Sequence, residues 1–156
     1  SWDAELHPLT QTDQIVKNAE KYPGKAVVVT GGEPLIYNLD YLTSELQKRG
    51  IKTFIETSGA YPLSGTWDWI CLSPKKFKAP RPDIAPLAGE LKVIVFNKSD
   101  FKWAEEYAAT VSEGCKLYLQ PEWSKSAEVI PQIIDYVMEN PKWEISLQTH
   151  KYLNIP

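Results

Sequence analysis

Six short apolar runs, each ending in polar residues, constrain the fold of this chain more than any other feature. The runs cover residues 26–29, 52–55, 68–72, 91–96, 116–119 and 143–147. Apolar runs of this length, rich in β-branched residues, are typical of strands in a parallel sheet. The carboxyl ends of parallel strands meet at one edge, where α/β proteins bind their ligands. The pattern therefore predicts an α/β fold with a mainly parallel sheet of about six strands and a polar, ligand-binding edge.

The first of these runs carries the sharpest functional signal. Residues 26–29 are followed by Thr30-Gly31-Gly32-Glu33-Pro34, and we expect the strand to be buried on both faces. The two glycines allow a ligand to approach the main chain, because no Cβ blocks it and unusual φ angles are tolerated. Glu33 adds an acceptor for an ammonium or amide group. A tight turn into a helix would explain the same residues without any ligand.

Helical periodicity separates most of the strands. We predict helices over residues 12–22, 38–49, 99–111 and 126–138, with Thr10 or Thr12 capping the first and Gly50 ending the second. The prolines within residues 74–89 disfavour a helix there, so an irregular loop is expected at the ligand-binding edge. The resulting order, βαβ-β-βαβαβ, is typical of an α/β domain with right-handed crossovers.

Composition limits the possible classes of function. The 156 residues, 43% hydrophobic, suit a single domain over residues 1–156, and the net charge of −3 gives no reason to expect nucleic-acid binding. No apolar run approaches the length of about 18 residues that a membrane span needs, and no signal peptide is recognisable. Cys71 and Cys115 both lie in or beside apolar runs, which favours core packing over a disulfide or metal site and suggests a cytoplasmic protein.

A local cluster of basic residues stands out from this nearly neutral background. It consists of Lys75, Lys76, Lys78 and Arg81. A solvated loop would explain it, and so would contact with an anionic ligand. The sequence leaves both interpretations open.

The Gly31-Gly32-Glu33-Pro34 loop resembles the glycine-rich loop of radical S-adenosylmethionine enzymes, which holds the methionine part of that cofactor. Further motifs make the resemblance more specific: Glu56-Thr57-Ser58-Gly59, Ser73-Pro74-Lys75, Gln120-Pro121 and Gln148-Thr149-His150-Lys151. Over residues 25–156 the chain is similar to the 7-carboxy-7-deazaguanine synthase family. Ser1-Trp2-Asp3 is also similar to the stretch that follows that family's cluster-binding loop.

The resemblance implies the C-terminal part of a radical S-adenosylmethionine core, a partial (β/α) barrel without its first strand. It implies radical ring contraction of 6-carboxy-5,6,7,8-tetrahydropterin to 7-carboxy-7-deazaguanine, which feeds queuosine-type tRNA modification. S-adenosylmethionine, a 4Fe-4S cluster and Mg²⁺ are the implied cofactors, with a reductant such as flavodoxin and a homodimeric assembly. The family's three-cysteine loop is not among these residues, so we expect the chain as given to hold no cluster and to be inactive without it.

The resemblance also assigns roles to individual residues. It places Gly31, Gly32 and Glu33 at the methionine group, with Ser73, Pro74, Lys75, Gln120, Pro121, Glu122 and Trp123 at the ribose and adenine side. Lys75 would pair with the cofactor carboxylate. The implied substrate contacts are Thr30, Glu56, Gln148, His150 and the α-carboxylate of Pro156.

Two of these substrate contacts carry structural expectations. Glu56 is expected one step past its strand, pointing over the sheet edge and accepting hydrogen bonds from the pterin. Its structural alternative is to cap a turn through Ser58 or Gly59. The tail over residues 152–155 is expected to fold back over the pocket with Leu153 and Ile155 packed underneath.

Two other classes of protein remain compatible with the residues. A glycyl-radical activating enzyme would share the glycine-rich loop but act on a protein, although the Gln-Thr-His-Lys segment argues against it. A non-enzymatic α/β binding module would explain the strands without radical chemistry.

Overall fold

A six-stranded parallel sheet forms the centre of the computed structural model, which describes residues 9–155. The strands are β1 (Ala26–Val29), β2 (Lys52–Thr57), β3 (Trp69–Leu72), β4 (Glu90–Val95), β5 (Lys116–Pro121) and β6 (Trp143–Ile145). They lie in chain order, and each runs parallel to its neighbours. The predicted fold class and strand number are confirmed, with the sheet open rather than closed into a barrel.

The helices follow the predicted order. They are α1 (Thr12–Glu20), α2 (Asp40–Lys48), α3 (Ser99–Ala108), α4 (Ser126–Glu139) and the short α5 (Thr149–Tyr152), with 3₁₀ turns at Pro34–Ile36, Ala85–Leu87 and Trp123–Lys125. Gly50 ends α2 with a φ of 67°, as predicted. The N-cap of α1 is Gln11 rather than a threonine, and its side chain makes no capping bond. None of the helices within residues 9–155 has the length and hydropathy to cross a membrane.

The two faces of the sheet have different environments. Alternate residues of β2 and β4, such as Ile55 and Val93, are buried and belong to the same core as Leu46 of α2 and Ile133 of α4. Parallel strands in chain order need crossovers of one hand, which places the connecting helices on one side. The intervening residues of β2 and β4 therefore face the other side, which we call the open face.

The expectation that β1 is buried on both faces is wrong. None of its four residues is buried, and Val28 is 62% exposed. The physical reason is the position of the strand. In the described part of the chain β1 is an edge strand that pairs with β2 alone, and Val28 points to the open face.

Candidate active site at the carboxyl edge of the sheet

The carboxyl ends of the parallel strands bring the predicted site segments to one edge of the sheet. The glycine-rich loop follows β1, Ser73 follows β3, and Gln120 lies near the end of β5. Residues 146–148 follow β6, where the Ser146 amide donates to the Leu119 carbonyl at 2.9 Å. The edge predicted from the six polar endings is therefore present.

Glu33 joins the glycine-rich loop to the end of β2. Its carboxylate accepts hydrogen bonds from the Thr57 hydroxyl at 2.6 Å, the Ser58 amide at 2.8 Å and the Leu35 amide at 3.1 Å. The Ser58 hydroxyl donates to the same carboxylate. Partial burial works to raise the pKa of Glu33, but the hydrogen bonds from Ser58, Thr57 and Leu35 outweigh it and lower the pKa. The carboxylate thus stays ionised and holds the loop in place.

The two glycines of this loop present main chain to solvent. Gly31 has a φ of 115°, a conformation that residues with a Cβ rarely adopt, and both Gly31 and Gly32 are exposed. A cavity of about 410 Å³ lies directly beside the loop. The cavity beside the loop is lined by Thr30, Gly32 and Glu33 together with Ile15, Val29, Pro34, Ile36, Tyr37, Leu39 and Leu42.

The segment after β3 lines a second cavity, of about 380 Å³. Its walls are mainly apolar and aromatic, with Pro74, Phe77, Ile94, Phe96 and Trp103 beside Lys75, Lys76 and Asp100. The Lys75 ammonium donates to the Ser73 hydroxyl at 3.3 Å. Apolar and aromatic walls with charged groups beside them suit a heteroaromatic ring that carries polar substituents.

The predicted basic cluster divides into two parts. Lys76 is ion-paired with the buried Asp100, Arg81 pairs with Asp83 at 3.0 Å, and the Lys78 ammonium lies 3.6 Å from the centroid of the Tyr61 ring. These partners within the chain support the structural interpretation for those three cations. Lys75 differs because its nearest polar partner is the neutral Ser73 hydroxyl.

Glu56 does not lie where the sequence placed it. The strand β2 continues through Thr57, so Glu56 sits within the strand and faces the open side rather than extending over the edge. The turn-capping alternative is also wrong, because the Ser58 amide donates to Glu33 and the Gly59 amide donates to the Thr57 hydroxyl. Instead the Glu56 carboxylate is ion-paired with Lys92 of β4, with Oε1 and Nζ 2.8 Å apart.

Sequence reasoning missed the polar residues around Glu56. An open-face cavity of about 420 Å³ is lined by Val28, Phe54, Ile55, Glu56, Trp69, Cys71, Glu90 and Lys92. Glu90 accepts hydrogen bonds from the Trp69 indole and the Cys71 thiol, both at 3.3 Å. The signal for Glu90 and Lys92 was their alternation with Leu91 and Val93, a spacing that puts both charges on one face of a strand.

The ends of β5 and β6 lie side by side, which brings together the motifs that begin at Gln120 and Gln148. The side-chain amide oxygen of Gln120 accepts a 3.3 Å hydrogen bond from the Ser146 hydroxyl, and Gln120 is buried. The Trp123 ring meets the Tyr152 ring edge to face at 5.2 Å, and the Lys151 ammonium lies 5.0 Å from the Trp123 centroid. The segments predicted to bind cofactor and substrate are thus in contact.

The tail differs from the expectation in its packing. Leu153 and Ile155 are 62% and 55% exposed, so the expected packing beneath the tail is wrong. His150 lies in α5 with an exposed side chain. Pro156 and the Ser1-Trp2-Asp3 stretch lie outside the described residues, so the expectations for them remain predictions.

The cysteines of this chain are unsuited to holding an iron–sulfur cluster. Cys71 and Cys115 are both free, and burial raises the pKa of each thiol, which disfavours the thiolate form that binds iron. Within residues 9–155 there is no group of three or more His, Cys, Asp or Glu side chains placed to bind a metal ion. The two cysteines of the described residues therefore do not supply the ligands of a cluster.

Comparison with known proteins identifies one family through individual relatives. No family model matches the chain. The chain is 59% identical over 156 residues to the 7-carboxy-7-deazaguanine synthase of Flavobacterium psychrophilum, covering all of this chain and 74% of the relative. It is 45% identical over 155 residues to the same enzyme of Synechocystis, covering 99% of this chain and 74% of the relative.

The crystal structure of QueE from Escherichia coli is also similar. The two structures superimpose with a TM-score of 0.78 at 28% sequence identity. The match covers 89% of this chain and 64% of the QueE chain, so the chain spans about two thirds of that protein.

Proposed function

This chain belongs to the 7-carboxy-7-deazaguanine synthase family of radical S-adenosylmethionine lyases, and we propose that it carries the substrate-facing part of the active site of such an enzyme. The reaction is the ring contraction of 6-carboxy-5,6,7,8-tetrahydropterin to 7-carboxy-7-deazaguanine. The identity of 59% along the whole chain carries this conclusion. The meeting of the polar strand endings at one sheet edge supports it.

The glycine-rich loop fits the methionine part of S-adenosylmethionine. The exposed main chain of Gly31 and Gly32 offers amide and carbonyl groups to the amino and carboxylate groups of the cofactor. The contact expected from Glu33 remains a prediction, and its four hydrogen bonds within the chain support a role in positioning the loop. Lys75 is suited to the cofactor carboxylate because its own partner is a neutral hydroxyl.

The ribose and adenine of S-adenosylmethionine are proposed to bind at the carboxyl ends of β3 and β5. The aromatic and apolar cavity after β3 supports a role for Ser73, Pro74 and Lys75. The ribose and adenine side would be completed by the buried Gln120 and by Pro121, Glu122 and Trp123, which follow it. These residues would hold S-adenosylmethionine, which would supply the radical chemistry of the reaction.

The pterin is proposed to bind over the open face. Glu56 faces a cavity there, and its carboxylate matches the amino and ring N–H groups of a pterin. Thr30 follows the neighbouring strand β1, and Gln148 and His150, which follow β6, would complete the pterin site. A pocket closed around the substrate would orient one C–H bond and exclude competing reactions.

Several finer points remain proposals that the family supports. They are a magnesium ion, an external reductant such as flavodoxin, a homodimer and a cytoplasmic location. We assign no step to the metal. The alternatives, a glycyl-radical activating enzyme and a non-enzymatic module, are not favoured by the relatives that the chain matches.

The test is turnover by the full-length protein with its cluster reconstituted. Incubation with S-adenosylmethionine, dithionite, Mg²⁺ and the tetrahydropterin should give 7-carboxy-7-deazaguanine, detected by mass spectrometry. Absence of this product from cluster-loaded protein would refute the proposal.

The cofactor site is tested separately by calorimetry with S-adenosylmethionine. Gly32→Val should abolish binding without unfolding the protein. Gly24→Val is the matched control, because Gly24 has no neighbouring atoms within 4 Å of an added Cβ. Unchanged affinity in Gly32→Val would remove the loop from the cofactor site.

A further inference from the structure

The structure assigns Lys92 the role of a positioning residue that holds the Glu56 carboxylate in place on the wall of the substrate pocket. This inference rests on the proposed role of Glu56 as a pterin contact. It adds a residue from a different strand to the substrate site, and none of the motifs that point to the family includes it.

The pair spans an intervening strand. Glu56 lies opposite Cys71 of β3, and Cys71 lies opposite Glu90 of β4, two residues before Lys92 on the same face. Neighbouring strands are about 4.8 Å apart, so β2 and β4 are separated by roughly 10 Å. Lys92 therefore reaches across β3 to bring its ammonium within 2.8 Å of Glu56. A long, unbranched cationic side chain meets this requirement, and a shorter one would not.

The pair is sheltered enough for its charges to matter. The Lys92 side chain is 13% exposed and the Glu56 side chain 35%. Removing one member of such a pair leaves the other charge poorly solvated, which costs more than the pair itself contributes. Here the loss would be compounded, because Glu90 lines the same pocket, whose one cationic lining residue within residues 9–155 is Lys92.

The groups that face Lys92 keep it charged. Burial works to lower the pKa of its ammonium, but the neighbouring Cys71, the hydrogen bond to Glu56 and the charges of Glu56 and Glu90 together outweigh burial and raise the pKa. Cys71, which also lines the pocket, stays a neutral thiol because burial raises its pKa. Lys92 thus acts as a fixed cation rather than as a base.

The consequence concerns how the substrate is held. A carboxylate has two oxygens and accepts several hydrogen bonds. When the ammonium binds Oε1, the side chain of Glu56 is fixed in one orientation while capacity remains for N–H groups of the pterin. Without Lys92, the Glu56 carboxylate would lose this ion pair and turn toward solvent.

A double-mutant cycle in the full-length, cluster-loaded enzyme tests whether Lys92 affects substrate binding through Glu56 or by contacting the substrate itself. Lys92→Met keeps the length of the side chain without its charge, and should raise the KM for the tetrahydropterin by about 10-fold with little change in affinity for S-adenosylmethionine. In a Glu56→Gln background the same substitution should change KM by less than about twofold. Lys92→Arg should restore most of the affinity. Lys52→Met is the matched control, because Lys52 is an exposed lysine on the same face of β2 as Glu56.

A second readout does not depend on turnover. The carbon-13 chemical shift of the Glu56 carboxyl at pH 7 should differ between Lys92→Met and the native protein, because the ammonium no longer binds Oε1, and Lys92→Arg should be close to native. The proposal is overturned if this chemical shift is unchanged, or if Lys92→Met raises KM by the same factor with and without Glu56, which would mean direct contact with substrate. If the native enzyme fails to convert the pterin, the proposed function falls, while the carbon-13 shift still decides whether Lys92 positions Glu56.

Discussion

The hydroxyl of Thr57 at the end of β2 donates a 2.6 Å hydrogen bond to the carboxylate of Glu33 in the loop that follows β1. This bond, with those from Ser58, makes the glycine-rich loop and the end of β2 a single unit. Because Glu56 immediately precedes Thr57, the proposed cofactor loop and the proposed substrate contact are positioned by the same network.

Replacing Glu33 with glutamine should therefore weaken the fold at this edge. The amide would bring an NH₂ group against N–H and O–H donors, so one or more hydrogen bonds would be lost, at a cost of about 1–3 kcal/mol. Urea denaturation monitored by circular dichroism measures the free energy of unfolding. Glu106→Gln, an exposed position on α3, should change it by less than about 0.5 kcal/mol. Equal effects of the two substitutions would show that the Glu33 network does not stabilise the loop.

The contribution of Glu33 should also depend on pH in a defined direction. Burial raises its pKa, but the hydrogen bonds from Ser58, Thr57 and Leu35 outweigh it and leave the folded-state pKa below the ordinary value of 4.5. A lowered folded-state pKa stabilises the protein fully above pH 4.5, and this stabilisation disappears as pH falls through the folded-state value. The stability difference between native protein and Glu33→Gln should therefore be constant from pH 6 to 7 and shrink below about pH 4.5. A difference that grows on acidification would contradict this assignment.

Two glycines with similar backbone angles should respond differently to alanine. Gly59 has a φ of 72°, and a Cβ there would lie 2.6 Å from Leu72 Cδ1 and 3.2 Å from Pro80 Cβ. Gly50 has a φ of 67° but no atoms within 4 Å of an added Cβ. Gly50→Ala should cost about 1 kcal/mol, from the left-handed conformation alone. Gly59→Ala should cost at least about 2–3 kcal/mol, because overpacking is added, and thermal and urea unfolding of both variants would measure this. Equal losses would mean that the neighbours of Gly59 move aside freely.

Trp123 should anchor the segment that carries His150. Its ring contacts Tyr152 and the Lys151 ammonium, and an aromatic pair of this geometry contributes about 0.5–1.5 kcal/mol. Trp123→Ala should therefore increase hydrogen exchange at residues 148–155, measured by mass spectrometry, and leave exchange in β2 and β4 unchanged. Trp123→Phe keeps an aromatic ring and should stay close to native. Native-like exchange of the tail in Trp123→Ala would show that α5 is held by other contacts.

Local patterns in the sequence determined much of this fold. The apolar runs and their polar endings predicted every strand of the described sheet and its parallel direction, since strand propensity and side-chain periodicity are properties of adjacent residues. Gly50 marked the end of α2, because the left-handed cap is a local demand. The convergence of the glycine-rich loop, Ser73 and Gln120 followed from strand direction alone.

The tertiary structure decided which side chains meet. That Glu33 binds Ser58, 25 residues away, and that Glu56 pairs with Lys92 across β3, depended on strand order and register, which no local pattern contains. The exposure of Val28 had the same origin, because burial of a strand depends on what lies beside and above it rather than on its own residues. The sequence by itself thus determined the strands and the edge at which a site would form. Tertiary packing decided which groups pair with each charge, because electrostatic interactions act through space between residues that are far apart in the sequence.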